Sequence, residues 1–371
     1  MEELLQVLLD CRLQGRECVM AVIVKVDGSA YRREGARCLI MPDGEVTGIL
    51  SGGCIEEDLR GHAAGVLESG EPCRVFYDFR AGEDDVWGTG IGCNGAITVW
   101  LEPYAPSRFP GQAERILEDL RSRLLTRNAY ETATVLSSTD SSVYPPGTRL
   151  TLSGGTLSEK PGEVRKAGMA ERRVNGVRLE LLVERITPRP EMVIIGAGED
   201  ARVLCSMAKM LQWRVTILYH LTDKVSRERF TDADEIRIIP RLAFEQADAA
   251  GKYVVILTHN LELDREAVRR LLPEDAAYIG LVGSRYRLER ILEGIEAEHH
   301  SFDRTLLGKL YSPAGLDIGA ETPQEIAMSI IAEATALRNG KSGGPLRDRK
   351  GLPLPISARD KLVAHGGQHG K

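Results

Sequence analysis

The chain has 371 residues, of which 43% are hydrophobic and 27% charged, and 48 Lys and Arg against 54 Asp and Glu give a formal net charge of −6. That length predicts two or three domains, and the composition excludes a disordered chain. The acidic balance argues against a nucleic-acid or membrane-surface protein, and apolar runs such as 19–24 fall far short of the ~20 residues of a membrane helix. Thirty-eight glycines against 5% aromatics predict many tight turns and close backbone approaches. The start, Met1-Glu2-Glu3-Leu4-Leu5, lacks the pattern of a signal peptide, which predicts a cytoplasmic protein. Seven cysteines without a C-x-x-C read as reduced thiols, not as a disulfide framework or a zinc module.

In chain order, residues 3–14 place Leu4, Leu5, Val7, Leu8 and Cys11 at helical spacing, and Gly15 closes the helix. Residues 19–26 form a continuous β-branched run and predict a buried strand. A polar loop, 28–36, leads to a hairpin over 37–41 and 46–50 turned by Pro42-Asp43-Gly44. After Ser51-Gly52-Gly53-Cys54, a helical repeat runs from Ile55 through Leu59, Ala63, Val66 and Leu67 to Gly70. Strands are expected over 74–79 and 96–101 around a Gly- and Asp-rich loop, then a connector over 103–110 and a helix over 112–126. Residues 130–187 alternate strand-like runs, 133–136 and 177–184, with Gly-rich turns, and Arg165, Lys166, Arg172 and Arg173 read there as a solvated loop.

Thr187-Pro188-Arg189-Pro190 marks a domain boundary, with a first domain over 1–187, a linker over 188–190, a second domain over 191–338 and a tail over 339–371. Beyond the linker, strands expected at 192–195, 214–218, 235–239, 253–257 and 278–282 alternate with helical stretches. That rhythm predicts an α/β chain: a C-terminal Rossmann-like, doubly wound parallel sheet preceded by a mixed α+β domain. A last helix over 323–337 opens with the capping box Thr322-Pro323-Gln324-Glu325.

Within the second domain, Met192 to Ile195 followed by Gly196-Ala197-Gly198-Glu199-Asp200-Ala201 reads as strand, glycine turn and helix, the pattern that brings a phosphate to a helix N-terminus. A nicotinamide cofactor is disfavoured, because the second strand ends in Tyr219-His220, with no carboxylate for the ribose and no Arg for a 2′-phosphate. Glu199 and Asp200 also oppose a pyrophosphate in the turn. The carboxyl ends of the strands should bring Gly196–Gly198, Thr258-His259-Asn260 and Gly283-Ser284-Arg285 together. His259 is read as a proton carrier or as the cap of the next helix, Ser284 and Arg285 as a phosphate clamp or a plain cap and ion pair. Asp317 is read as lining the same crevice or bonding local backbone.

In the first domain, Cys54 follows Ser51-Gly52-Gly53 at the start of a helix whose positive end lowers a thiol pKa. Glu56 sits in that first turn. Cys93 lies in the glycine-rich loop Gly92-Cys93-Asn94-Gly95. Two thiols in two such loops point to a soft-metal or sulfur site, against the alternative of packed loop cysteines. Arg32 and Arg33, in the first polar loop, are candidates to clamp an anion.

These residues resemble the XdhC/CoxI family of molybdenum-cofactor chaperones, over about residues 1–338. The resemblance is carried by Gly28-Ser29-Ala30-x-Arg32-Arg33-x-Gly35-Ala36, Gly48-x-x-Ser51-Gly52-Gly53-Cys54-x-Glu56 and Gly90-x-Gly92-Cys93-Asn94-Gly95. Further on it rests on the glycine turn, Thr258-His259, Tyr278-Ile279-Gly280-x-x-Gly283-Ser284-Arg285 and the segment from Pro313 through Asp317 to Ala327. It implies a protein that binds the pyranopterin molybdenum cofactor in its mononucleotide or cytosine dinucleotide form, assists its sulfuration by a cysteine desulfurase and delivers it to an apo molybdenum hydroxylase of the xanthine dehydrogenase type. The motif residues named above would bind the cofactor, with Cys54 and Cys93 toward the metal, and a homodimer is the base-rate assembly. Family members often carry Asp-Pro where this chain has Tyr219-His220. The competing readings are an NAD(P)-dependent oxidoreductase, a sulfur-transfer enzyme carrying a persulfide on Cys54, and a purely structural partner protein.

Overall fold

The computed structural model describes residues 1–53, 55–80, 95–152, 167–298 and 303–348. Cys54, Gly92, Cys93 and Asn94 lie outside the described residues, as do Arg165 and Lys166. The chain forms two compact units, Met1–Arg189 and Pro190–Lys371. No helix among the described residues is long and apolar enough to cross a membrane.

The first unit runs α1 (Glu2–Gln14), β1 (Cys18–Gly28), β2 (Arg37–Ile40), β3 (Val46–Gly48), α2 (Glu56–Ser69), β4 (Cys73–Asp78) and β5 (Gly95–Tyr104). It continues through α3 (Pro110–Leu125), β6 (Tyr130–Ser138), β7 (Arg149–Leu152), β8 (Ala167–Val174) and β9 (Val177–Ile186). The first five strands make one sheet in the order β3-β2-β1-β5-β4, and the last four make a second, β7-β6-β9-β8. All pairings in both are antiparallel. Strand β1 is apolar at every position from Cys18 to Val24 because both faces of its sheet are covered. Met20, Val22 and Val24 pack toward α1 and α3, while Val19, Ala21 and Ile23 pack toward α2.

Two local expectations change. The stretch read as a connector from residue 103 begins inside β5, which pairs with β1 as far as Cys18 opposite Tyr104. Strand β4 starts opposite Leu101, so Pro103 has a strand on one side only, where a missing N–H is tolerated. Arg172 and Arg173 are not in a loop; they sit on β8, at the edge of the second sheet, with their side chains exposed.

The second unit runs β10 (Glu191–Ile195), α4 (Glu199–Met210), β11 (Arg214–Tyr219), β12 (Glu235–Ile238), β13 (Tyr253–Ile256), α5 (Leu261–Leu271), β14 (Tyr278–Leu281), α6 (Arg285–Glu298), β15 (Leu310–Tyr311) and α7 (Pro323–Arg338). Its six strands are all parallel, in the order β12-β11-β10-β13-β14-β15. That is the Rossmann order, with the switch point between β10 and β13. Met192 and Ile194 face α4 and α7, whereas Val193 and Ile195 face α5 and α6, so alternate residues of one apolar strand serve two cores. Helix α7 opens on a complete capping box between Thr322 and Glu325. Two expected helices are missing: β11 and β12 are joined by turns over residues 220–234, and β12 and β13 by turns and the short 3-10 segment Phe244–Ala247.

The two sheets of the first unit are fastened by buried ion pairs. Glu184 of β9, 3% exposed, accepts from Arg37 of β2 at 2.8 and 2.5 Å and from Arg123 of α3 at 3.1 and 2.7 Å. Nearby, Arg149 of β7 grips Glu102 of β5 at 3.2 and 2.6 Å. Burial pushes the Glu184 carboxyl up, but the two guanidiniums more than offset it and hold it at about 2. We predict that Glu184→Gln, which leaves two guanidiniums under-compensated, costs ~3–5 kcal/mol in urea unfolding at pH 7. Because the folded carboxyl titrates below its ordinary 4.5, the gap between wild type and variant should be full above that pH and shrink as pH falls toward 2. A gap independent of pH would contradict the ion-pair account.

Candidate functional site

The described residues of the glycine motifs of the first unit lie at one end of its five-stranded sheet. Gly28, the last residue of β1, is opposite Gly95, the first of β5. A Cβ on Gly95 would stand 2.3 Å from the Ser29 carbonyl oxygen and 2.6 Å from that of Asp27, so only glycine lets the 28–36 loop pass. Glu34 accepts from the Val26 N–H at 3.2 Å, and Arg33 donates to the Gly28 carbonyl at 3.2 Å. Arg32 is exposed and makes no ion pair with a described residue. The Tyr31 ring lies 3.9 Å from where a Cβ of Gly52 would be, which brings the first loop against the second.

In the second loop the nearest anion is the protein's own. Glu56, in the first turn of α2, accepts from the Ser51 N–H at 3.0 Å, the Ser51 hydroxyl at 2.5 Å, the Gly53 N–H at 3.0 Å and the Ile55 N–H at 3.2 Å. Burial raises its carboxyl, and the Ser51 hydroxyl and the backbone N–H groups outweigh that and lower it. The positive end of α2 was expected to lower the Cys54 thiol pKa, with Glu56 in the first turn; Cys54 lies outside the described residues. The first turn of α2 carries three carboxylates, Glu56, Glu57 and Asp58, and the loop donors hold the first of them. Ser51 and Glu56 therefore shape the loop, while Gly52 and Gly53 remain exposed on it. Cys38, just behind, is an inert core thiol, pushed up to about 12 by burial and by the charge of Glu56.

In the second unit the site gathers at the carboxyl edge of the parallel sheet. A Cβ on Gly196 would meet the Leu257 carbonyl oxygen at 2.5 Å, so this glycine is demanded by the crossing of the β10 and β13 ends. Ala197 is buried behind the turn. His259, held in a left-handed conformation at φ 59, sets Nε2 3.3 Å from a carboxylate oxygen of Asp200 and lies beside Gly198. It does not cap the next helix. Asn260 does, accepting from the Leu263 N–H at 3.0 Å. At the end of β11 the Tyr219 and His220 rings lie 4.5 Å apart, and burial followed by the Arg241 charge lowers the His220 pKa.

A cavity of about 620 Å³ opens between the ends of β13 and β14, lined by His259, Leu261, Val282, Gly283, Ser284, Tyr286, Arg287 and Arg290. Ser284 caps α6, its hydroxyl accepting from the Arg287 N–H at 3.2 Å. Arg285 is exposed and absent from the lining, since at 100° per residue it sits about 200° round the helix from Arg287. Asp317 is exposed and also outside the lining. The organising group is Asp264 of α5, 0% exposed. It accepts from the Thr258 hydroxyl at 2.5 Å and N–H at 3.3 Å, and from Arg287 Nε at 2.9 Å and Nη2 at 2.5 Å. One carboxylate thus ties the strand end before His259 to the helix after Ser284. Sequence reasoning missed Asp264, Arg287 and Arg290. The signal was present: Asp264 falls on the stripe of α5 shared with Leu263, Ala267, Val268 and Leu271, where a carboxylate needs a partner. We predict that Asp264→Ala costs ~3 kcal/mol in thermal or urea unfolding. A loss under ~0.5 kcal/mol, the scale of a surface change, would show that the clamp does not hold the site.

Comparison with known proteins follows this division. The XdhC Rossmann domain model matches residues 192–334, and the XdhC and CoxI family model matches residues 11–78. A protein of Bacillus subtilis (strain 168), named as a probable xanthine dehydrogenase component, is 32% identical over 347 residues, 89% of this chain and 96% of that one. The molybdenum cofactor insertion chaperone PaoD of Escherichia coli (strain K12) is 22% identical over 337 residues, 90% of this chain and 88% of its own. A crystal structure from Bacillus halodurans, described as a xanthine dehydrogenase, superposes with a TM-score of 0.68 at 29% identity, covering 95% of this chain and 98% of that one. On the full-length likeness and the two matched domains, the chain belongs to the XdhC and CoxI family.

Proposed function

We propose that this protein is a chaperone for the pyranopterin molybdenum cofactor, which it carries and delivers to a molybdenum hydroxylase of the xanthine dehydrogenase type. The observation that carries the reading is the full-length similarity to PaoD, whose name states cofactor insertion, across both units and not the nucleotide fold alone. The geometry supports it. The carboxyl edge of the second unit offers a cavity whose lining has cationic side chains and no carboxylate, which suits a phosphate-bearing ligand. The end of β11 offers Tyr219 and His220 where a nicotinamide enzyme places a ribose-binding carboxylate, which disfavours the oxidoreductase reading.

In this reading the cofactor is cargo. Its phosphate end would be held at the carboxyl edge of the second unit. Cys54 and Cys93, in their glycine-flanked loops, are the proposed contacts to the molybdenum or to the sulfur that a cysteine desulfurase supplies for its sulfido ligand. Exposed glycines at 52 and 53 leave that loop free of side-chain bulk, and Arg32 is an exposed cation on the neighbouring loop. The test is metal and pterin analysis of the full chain purified from a molybdenum-replete host. Wild type should retain a fluorescent pterin and molybdenum. A Cys54→Ala, Cys93→Ala double variant of unchanged circular dichroism should lose about tenfold in molybdenum. No pterin on the wild-type protein would contradict the chaperone reading, and equal molybdenum on both would contradict the role of the thiols.

A further inference from the structure

In dinucleotide-binding folds the phosphates rest on the glycine turn at the head of the first helix. Here that place is unfavourable. Helix α4 begins with Glu199 and Asp200, and beside the turn Asp200 faces the His259 ring, with Nε2 3.3 Å away. Glu199 is paired outward with Arg202. The cavity at the head of α6 has the opposite character. Its ionisable lining residues are His259, Tyr286, Arg287 and Arg290. The carboxylates that touch these groups approach from outside the lining: Asp264 from beneath, Glu293 along the helix and Asp200 across the crevice.

Neither guanidinium is used up. Asp264 takes Nε and Nη2 of Arg287 and leaves Nη1, with its two hydrogens, without a partner among the described residues. Glu293 takes only Nη1 of Arg290, at 3.0 Å. Arg287 and Arg290 are three residues apart and so share one helix face with Ser284. The buried Asp264 fixes Arg287 in place, so its free N–H groups are pre-set for an anion and little further ordering is required. Tyr286, 69% exposed, stands on the cavity wall beside them, an aromatic face suited to a base or a pterin ring.

We propose that the phosphate of the ligand is bound in this cavity by Arg287 and Arg290, and not on the glycine turn. The inference deepens the chaperone reading and rests on it for the identity of the ligand. The phosphate can belong to the pterin itself or to a nucleotide joined to it, so two probes are used on the full chain, inorganic pyrophosphate and cytidine 5′-diphosphate, in isothermal titration. Gly198→Ala is the discriminating variant. Its Cβ would sit 3.5 Å from the nearest His259 atom, an ordinary contact, yet it would obstruct a phosphate approaching the turn. Arg290→Gln is the partner variant, chosen because Arg290 is half exposed and its loss does not strand a buried carboxylate.

At least one probe should bind wild type, weaken about tenfold in Arg290→Gln and hold within about twofold in Gly198→Ala. Tighter binding of cytidine diphosphate that falls to the pyrophosphate level in Tyr286→Ala would assign the nucleotide as the source. Equal binding of the two would assign the phosphate alone, and both results support the cavity. Binding lost in Gly198→Ala and kept in Arg290→Gln would overturn the proposal, as would failure of wild type to bind either probe at millimolar concentration. Pterin retention by the purified protein is scored separately, so a cofactor-loaded chain that fails this titration pattern refutes the cavity and not the chaperone reading.

Discussion

A buried carboxylate with no route to water must be matched by donors, and that requirement organises the second unit's site. Asp264 sits under the carboxyl edge of the sheet with Thr258 on one side and Arg287 on the other. Because it accepts from both, the position of the His259 turn and the position of α6 are not independent. The left-handed backbone at His259 is tolerated only where neighbouring bonds hold it, and Thr258 and Asn260 supply them on either side, joined to each other through the Thr258 hydroxyl. The crevice is therefore a set of loops braced against one charge, which gives a rigid mouth on the part of the fold that ordinarily meets ligands.

The first unit uses the same logic at two depths. Deep in the structure, Glu184 and Glu102 join the two sheets through arginines brought from separate strands and a helix. Near the surface, Glu56 satisfies the donors of the loop that carries Cys54. That second arrangement changes the chemistry expected of the loop. A helix head whose donors are open stabilises a thiolate; one already occupied by a carboxylate offers little of that field.

Five of the six strands of the second unit were legible as short apolar runs between turn signals, whereas β15, only Leu310–Tyr311, carries no such run. The capping box of Thr322 with Glu325 reads identically in sequence and structure. What could not be read was pairing at a distance. The two-sheet division of the first unit depends on Arg37 meeting Glu184 across 147 positions, and no local pattern announces it. Pro103 misled for a similar reason: its tolerance inside β5 depends on where β4 begins. At the candidate site the glycines that drew attention have a cause that is partly internal. Gly95 and Gly196 are required by backbone crossing directly behind them, whatever binds in front. Arg285 was singled out for its place in a motif, and the helical turn puts Arg287 and Arg290 on the cavity instead.

The chain belongs to the XdhC and CoxI family, and the proposed carrier role rests on the cation-lined crevice of its second unit. The most direct measurement is transfer. The cofactor-loaded chain is mixed with an apo molybdenum hydroxylase of the xanthine dehydrogenase type, the two proteins are separated, and molybdenum and pterin are counted on each. The account predicts that both move together to the hydroxylase and that its activity appears in proportion. Molybdenum and pterin that stay with the chain, or a hydroxylase that gains no activity, would contradict it.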